Sequence, residues 1–388
     1  MLLYKGIGTD HCEHEDLIDF LNYVFNMNGF DSGFYRLLPK LYRPQFRPED
    51  HNYIVTEDGK LRAAVGAYPI EMGVMGEKLT AVGIGNVAVH PFHRSKGYMK
   101  DCMKLALDDA VRAGADFAVL GGRRQRYSYF GFEPAGTCGS FTLNRDNLRH
   151  CFGSADNTSG YTARLLAAQD VAALADIDAL VRTRSSHPVR PADRLFDVLS
   201  TWESRVCAVY APDGAFAGYF IAGKNGVGVI EIGCANEMHG PGVVRACHAF
   251  MGKDEISLSV PTHDALLFDF LSDICEGCSL VHTESYNVFH YEKVVRACLA
   301  LRSQTDPLCD GCVTLEIDGF AGVEKLRIAV QNGIPSVTAH DGDCDLHLTH
   351  RQAMGALFGL LPAPRRALSA PVRSWLPLPL FVPDVDND

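Results

Sequence analysis

The spacing of apolar and polar positions predicts that helices and strands alternate along this chain. Apolar residues recur at helical spacing from Leu17 to Val24 and predict a helix over residues 15–27. A loop rich in proline and aromatic residues follows from Asn28 to Asp50, either as a packed cover or as a substrate lid. Alternating and β-branched runs then predict strands near 52–56, 61–70, 70–75 and 79–89.

The next segment has the pattern of a strand–helix–strand unit. A helix is expected after Gly97, with an apolar face that includes Met103 and Ala106 and with Gly114 placed to end it. The short apolar run at 117–120 is a buried strand that ends in Gly121-Gly122. A crossover helix implies that the strands on either side of it are parallel.

After a polar stretch at 153–160, where we place a domain boundary, a similar order of elements returns. A third unit begins near Tyr291. The expected domains are 1–150, 151–290 and 291–388. The later helices are expected at 168–182, 191–199, 241–252, 264–273, 293–301 and 350–358, and the later strands at 205–210, 215–223, 227–233, 255–260, 279–289, 312–318, 325–331, 334–338 and 344–348.

Composition narrows the range of partners. The chain has 388 residues, 47% hydrophobic, with a formal net charge of −11, which argues against nucleic acid or an anionic membrane as its main partner. No signal-like or membrane-spanning run is evident, so the 13 cysteines indicate reduced thiols in a cytoplasmic protein.

Two sequence clusters resemble metal ligands. Cys275/Cys278 and Cys309/Cys312 form C-x-x-C pairs, but their separation is longer than in a zinc ribbon, and small residues near turns are the simpler interpretation. The tract from His11 to Asp16 is better explained as the charged start of a helix. We therefore expect no metal.

The sharpest signal lies between the strand that ends at Val89 and the helix after Gly97. The intervening Arg94-Ser95-Lys96-Gly97-Tyr98-Met99 has the form R-x-x-G-x-small, except that Met99 occupies the small position. Free N–H groups and the dipole at a helix start attract anions, and a glycine allows a phosphate close to the backbone. We infer a pyrophosphate site. The corresponding loop of the second unit, 236–242, has glycines without a basic residue, so no second coenzyme site is expected there.

This loop resembles the coenzyme A loop of the GNAT acetyltransferase superfamily. The segment Tyr127-Ser-Tyr-Phe130-Gly131-Phe132-Glu-Pro134-Ala135 and the tail unit from Leu315 to Thr349 extend the resemblance to the enhanced intracellular survival family of bacterial N-acetyltransferases. That resemblance implies a mixed α/β fold with α+β sheets. In it, two GNAT-like domains in tandem precede a domain like a sterol carrier protein.

The resemblance also implies a cosubstrate, acetyl-CoA. The backbone of the strand end would pair with pantetheine, an N–H near Val89 would stabilise the oxyanion, and the loop would hold the pyrophosphate. The expected cofactor contacts are Val87, Ala88, Val89, Arg94, Ser95, Lys96, Gly97, Tyr98, Met99, Lys100, Gly122 and Arg123.

For catalysis, Tyr127 matches the family's general acid, which protonates the leaving thiolate. Tyr98 and Tyr129 are the nearest rivals, and a packed aromatic is the alternative role. The family's base is the C-terminal carboxylate, here the α-carboxylate of Asp388, with a frayed acidic end or another pocket carboxylate as alternatives. His90 and His93 are expected to be surface or phosphate contacts.

The sequence therefore predicts an acetyl-CoA-dependent N-acetyltransferase of primary amines. The acceptor would be a cationic small molecule, such as an aminoglycoside-like amine, or lysine. The resemblance favours a homo-oligomer, with a hexamer as one candidate. The alternative is a non-catalytic coenzyme A- or lipid-binding protein that works through the sterol carrier-like unit.

Overall fold

The first part of the chain builds one half of a large sheet and the helices that cover it. The computed structural model describes residues 1–6, 13–29, 33–224, 226 and 228–387. The elements of this part are β1 (Leu2–Lys5), α1 (His14–Asn26), α2 (Phe34–Leu37), α3 (Pro39–Tyr42), β2 (Asn52–Glu57), β3 (Lys60–Val74), β4 (Glu77–Val89), α4 (Tyr98–Arg112), β5 (Phe117–Leu120), α5 (Arg124–Tyr127), β6 (Glu133–Asn144) and α6 (Arg145–Phe152).

The second part repeats the strand–helix–strand order, with bounds close to those expected. Its elements are β7 (Thr162–Leu165), α7 (Val171–Arg182), β8 (Ser186–Pro188), α8 (Leu195–Leu199), β9 (Arg205–Tyr210), β10 (Phe216–Ala222), β11 (Gly228–Cys234), α9 (Gly240–Met251), β12 (Glu255–Pro261), α10 (Ala265–Ile274) and β13 (Gly277–Val288). The pairs β4–β5 and β11–β12 are both parallel, as crossover helices require.

The third part is a helix on a smaller sheet, followed by a tail. Its elements are α11 (Tyr291–Arg302), β14 (Gly311–Gly319), β15 (Gly322–Gln331), β16 (Ile334–Ala339), β17 (Leu346–Thr349), α12 (His350–Leu357) and α13 (Ala370–Ser374). The small sheet has the order β16-β15-β14-β17. Its core is continuous with that of the first part, since Met72 and Leu79 pack in the same cluster as Leu315 and Trp375.

Within the described residues, the large sheet has 13 strands in the order β1-β2-β3-β4-β5-β13-β6-β12-β11-β10-β9-β7, with β8 on β3. The mixed α/β class is therefore as expected. The sheet runs without a break across residue 150, because β6 pairs with β12 and β13 pairs with β5. The limits of the three expected domains stay a prediction.

Two local expectations were wrong. The strands expected at 61–70 and 70–75 are one strand, β3. It tolerates Pro69 because β2 pairing ends at Gly66 and β8 pairing begins at Met72, so no strand needs an N–H there. The expected loop at 28–50 contains the short helices α2 and α3, which bury Leu37 and Tyr42.

Candidate active site

The loop between β4 and α4 has the geometry of an anion site. Ser95 and Gly97 are left-handed, with φ of 65° and 87°, and α4 starts at Tyr98. The backbone N–H groups of residues 95–99 have no acceptor among the described residues. An anion at the start of α4 would meet these donors and the positive end of the helix dipole.

Basic side chains surround this loop and remain exposed. Arg94 donates to Asn28 Oδ1 at 3.0 Å, and Lys96 Nζ lies 3.0 Å from Glu57 Oε2. Lys100 lies over the ring of Tyr129, with Nζ 4.5 Å from the centroid. These cations are held by weak surface contacts, which a phosphate can replace.

Strand β4 separates from β5 just before the loop. Their parallel pairing covers only Ala81–Gly83, whereas the other edge of β4 stays paired with β3 as far as Val89. The stretch 84–89 therefore has an edge facing β5 with no strand on it in the described part of the chain. Such an edge can pair with an extended polar ligand.

A buried amide network fixes the bulge in this part of β4. Asn86 has a φ of 41° and donates from Nδ2 to Asn52 Oδ1 at 2.7 Å, while Asn52 donates to the Tyr68 hydroxyl at 2.9 Å. Position 66 must be glycine, because a Cβ there would overlap Asn86 Oδ1. The bulge twists β4 away from β5 and keeps the cleft open.

Tyr127 lies at the rim of this cleft. It is 6% exposed and packs in the same core cluster as Val87, Val89 and Leu120. A Cβ on Gly122, whose φ is 140°, would lie 2.7 Å from its ring. Burial raises the pKa of Tyr127, so the phenol is a proton donor at neutral pH.

Tyr127 differs from the two rival tyrosines in its surroundings. Tyr129 is 70% exposed, and Tyr98 is buried beneath the loop as the first residue of α4. Tyr98 and Met99 therefore offer their backbone to the loop, while their side chains pack inward.

Hydrogen bonds from other parts of the chain hold the turn that follows Tyr127. His350 Nε2 lies 2.8 Å from the carbonyl oxygen of Gly131, and His350 Nδ1 lies 3.0 Å from the Tyr291 hydroxyl. Asn287 donates to the carbonyl of Phe130 at 2.9 Å. The turn after Tyr127 is thus tied to both β13 and α12.

Two carboxylates that the sequence analysis did not identify lie at the other face of the β5 end. A Cβ on Gly121 would be 3.2 Å from Glu284 Oε2. Enclosure by protein and the charge of Asp384 raise the pKa of Glu284 to about 7, and enclosure together with Glu231 raises the pKa of Asp384 to about 6. Glu284 is half-buried and Asp384 is exposed, so both carboxylates are accessible from solvent.

The C-terminal tail is anchored beside these carboxylates. Lys40 Nζ donates to the carbonyl oxygens of Val385 at 2.8 Å and Asn387 at 2.5 Å. Arg190, which is 2% exposed, forms ion pairs with Asp386 and Glu231, with a guanidinium nitrogen 2.7 Å from a carboxylate oxygen of each. Asp388, the predicted base, lies outside the described residues.

A cavity of about 420 Å³ opens next to the tail. Lys40, Tyr68, Thr80, Arg190 and Asp386 contribute to its lining, so it lies between α3, β3, β4 and the tail. This volume is in the range of small-molecule sites.

The remaining sequence candidates lie on the surface or form no centre. His93 Nδ1 contacts Glu57 at 2.9 Å, and burial lowers the pKa of the partly exposed His90. Among the described residues, no three His, Cys, Asp or Glu side chains are grouped as metal ligands. No helix in the same residues has the length and apolarity to cross a membrane.

Comparisons with known proteins bear on the first part of the chain and on the overall fold. Residues 9–135 match a family model described as an acetyltransferase (GNAT) domain, while no curated protein matches the chain. A GCN5-related N-acetyltransferase from Kribbella flavida is similar in fold, with a TM-score of 0.66, 17% identity, and 97% of this chain and 95% of that chain covered.

Two further structures have the same overall fold. A probable N-acyltransferase of unknown function from Enterococcus faecalis V583 has a TM-score of 0.63 and 17% identity, with 90% of this chain and 87% of that one covered. Eis1 from Mycobacterium abscessus has a TM-score of 0.60 and 15% identity, with 92% and 89% covered. Residues 9–135 thus match a GNAT acetyltransferase domain, in a chain that shares its overall fold with GCN5-related N-acetyltransferases along most of its length.

Proposed function

We propose that this protein transfers an acetyl group from acetyl-CoA to a primary amine. The observation that carries the proposal is the combination of two features on one strand. Strand β4 has an unpaired edge at residues 84–89, and it leads directly into a loop with free N–H groups at residues 95–99. An acyl-CoA needs both, since it carries amides along pantetheine and a pyrophosphate at the end.

In the proposed complex, the pyrophosphate lies on Ser95–Lys100, and Arg94 adds positive charge. Pantetheine pairs with the β4 edge at Val87–Val89, which directs the thioester along β4 toward the point where β4 and β5 separate. Gly122 and Arg123, exposed after β5, lie across the cleft and complete the contacts.

The amine nitrogen attacks the thioester carbon, so a C–N bond forms and the C–S bond breaks. A backbone N–H near Val89 stabilises the oxyanion. Tyr127 donates its proton to the departing sulfur, a role that suits a phenol whose pKa is raised by burial. The α-carboxylate of Asp388, which follows the anchored Asn387, is the base that the family resemblance implies.

The alternative, a lipid carrier without catalysis, finds less support. The apolar interior between α11, the small sheet and Trp375 leaves a cavity of only about 10 Å³. The indole is 1% exposed and donates to the carbonyl of Cys309 at 2.9 Å. A sterol or acyl chain requires hundreds of Å³. We propose that this unit supports the turn after Tyr127.

We also propose the limits of the domains, the location and assembly of the protein, and the class of the acceptor. The domains are a catalytic GNAT unit at 1–150, a GNAT-like unit at 151–290 and a sterol carrier-like unit at 291–388. The protein is a cytoplasmic homo-oligomer, whose mass in solution is measurable by light scattering. The acceptor is a cationic amine, either an aminoglycoside-like molecule or lysine.

The test is thiol release from acetyl-CoA with a panel of amines that includes aminoglycosides and lysine. We expect turnover with at least one amine, and about a 100-fold lower kcat for Tyr127→Phe, since the variant lacks the proton donor. Tyr129→Phe, which changes an exposed ring, is the matched control and should keep its rate. If the protein binds coenzyme A but turns over none of the amines, the proposed acetyltransferase activity is wrong.

A further inference from the structure

Glu284 is placed where an acceptor amine would approach the thioester. On β13 it lies on the same face as Tyr286 and Val288, which pack with Val119 on one face of β5. Tyr127 packs with Leu120 on the opposite face. The carboxylate of Glu284 and the phenol therefore flank the end of β5 from its two sides, one beside Gly121 and the other beside Gly122.

Glu284 has no ion-pair partner among the described residues, and the groups that face it are Asp384 and Asn387 from the tail and Tyr286 from its own strand. The cations that anchor the tail are engaged by other groups: Lys40 by the carbonyls of Val385 and Asn387, and Arg190 by Asp386 and Glu231. Glu231 faces Asp384 from β11. A half-buried carboxylate beside a second carboxylate, with no ion-pair partner of its own, favours either a proton or a bound cation.

The tail adds an unused hydrogen-bond acceptor beside this pair. Asn387 is 5% exposed, and its Oδ1 has no hydrogen-bond partner among the described residues. A buried acceptor without a donor is costly, and an ammonium group supplies donors. An ammonium is thus complementary to this end of the cleft in both charge and hydrogen bonding.

We propose that Glu284 binds the ammonium of the acceptor and accepts the proton whose loss makes the nitrogen nucleophilic. This inference rests on the proposed acetyl transfer and assigns to Glu284 the base role that the resemblance gives to Asp388. The ammonium loses one proton to Glu284, and its nitrogen then forms the C–N bond. As the C–S bond breaks, Tyr127 protonates the sulfur, and the second nitrogen proton restores the phenol. Glu284 then releases its proton to solvent.

The pH dependence follows from the charge of this carboxylate. A pKa of about 7 makes Glu284 a base only above that pH, so kcat/KM for the amine should rise up to about pH 7 and then level off. Asp384→Asn removes the neighbouring negative charge, which should lower the pKa of Glu284 and move this rise to lower pH.

The experiment compares Glu284→Gln with the wild type on amines of high and low pKa. For an alkyl amine near neutral pH we expect kcat/KM to fall about 100-fold or more. In the variant, kcat/KM should keep rising with pH up to the pKa of the amine, since only the neutral amine then reacts. For an aromatic amine, which is already neutral at this pH, kcat/KM should change little. Glu255→Gln, an exposed carboxylate on β12, is the matched control.

Each result has a defined meaning. Unchanged coenzyme A affinity in Glu284→Gln would show that the variant is folded. If the wild type turns over but Glu284→Gln keeps both its rate and its pH profile, the inference is wrong and the proposed function stands. If deleting Asp388 removes the rise of kcat/KM with pH, and Glu284→Gln keeps that rise, the base is the C-terminal carboxylate and the inference is wrong. No turnover by the wild type would remove the proposed function itself.

Discussion

At the scale of the residue, two glycines leave the space that the side chains of the candidate site occupy. The ring of Tyr127 occupies the space that a side chain on Gly122 would need, and the carboxylate of Glu284 lies beside Gly121. Neither contact is visible in the sequence, which shows only that two glycines follow a short apolar run. These glycines bring an acid and a carboxylate to opposite faces of one strand end.

We predict that Gly122→Ala lowers kcat by roughly tenfold or more, because the new Cβ displaces the Tyr127 ring. Coenzyme A affinity should fall by a smaller factor, since Gly122 is only one of the proposed contacts with the cofactor. Steady-state kinetics and calorimetric binding separate the two effects. Gly114→Ala is the control, since Gly114 is also left-handed, with φ of 78°, but has nothing within 4 Å of the added Cβ. Equal losses in both variants would mean that backbone strain alone is responsible.

At the scale of the element, the loop before α4 works through its backbone. Gly97 at a φ of 87° turns the chain so that the first N–H groups of α4 point outward, and the side chains of Tyr98 and Met99 pack inward. In the proposed complex, residues 95–99 would contact the cofactor through their main chain, and Met99 is compatible with that role because its side chain packs inward.

Gly97→Ala should therefore weaken coenzyme A binding about tenfold, because a left-handed alanine costs about 1–2 kcal/mol and the loop will relax away from that geometry. Binding of pantetheine, which lacks the pyrophosphate, should not change. Gly153→Ala, at the end of α6 with φ of 74° and open space around it, controls for stability. A parallel loss of pantetheine affinity would contradict a pyrophosphate site.

At the scale of the whole molecule, the tail joins the three parts of the chain. Lys40 of the first part donates to the carbonyl of Val385 at 2.8 Å, Val385 packs in the core of the second part, and Asp386 pairs with Arg190. Burial raises the pKa of Glu231, but attraction to Arg190 outweighs it, and the net pKa is lowered. The stability from this pair is present above the ordinary Glu pKa and is lost as pH falls below it.

Arg190→Met should destabilise the protein by about 3–5 kcal/mol, because Glu231 and Asp386 would stay enclosed without their cation. Thermal unfolding measures the loss, and activity should fall with the release of the tail. Arg149→Met, which breaks an exposed pair with Asp146 about one helical turn away on α6, should cost no more than about 0.5 kcal/mol. Similar losses in the two variants would show that the tail anchor is not a buried ion pair.

The sequence could predict features whose cause is local. The bounds of most helices and strands, the end of β4 at Val89, and the start of α4 after Gly97 follow from apolar periodicity and from the turn chemistry of a few residues. Strand β6 escaped prediction because its glycines and small residues, such as Gly136 and Gly139, blur the alternation of apolar positions. Its strand character comes from neighbours on both sides.

The sequence by itself determined the loop between β4 and α4, the position of Tyr127 after β5 and the mixed α/β class. Only the tertiary structure decided that β13 enters between β5 and β6, and that the tail lies beside them. Strand partners distant in sequence are selected by register and by shared burial, which periodicity does not encode. For that reason Glu284, Asp384 and Asn387, which come together only through this pairing, had no signal in the sequence.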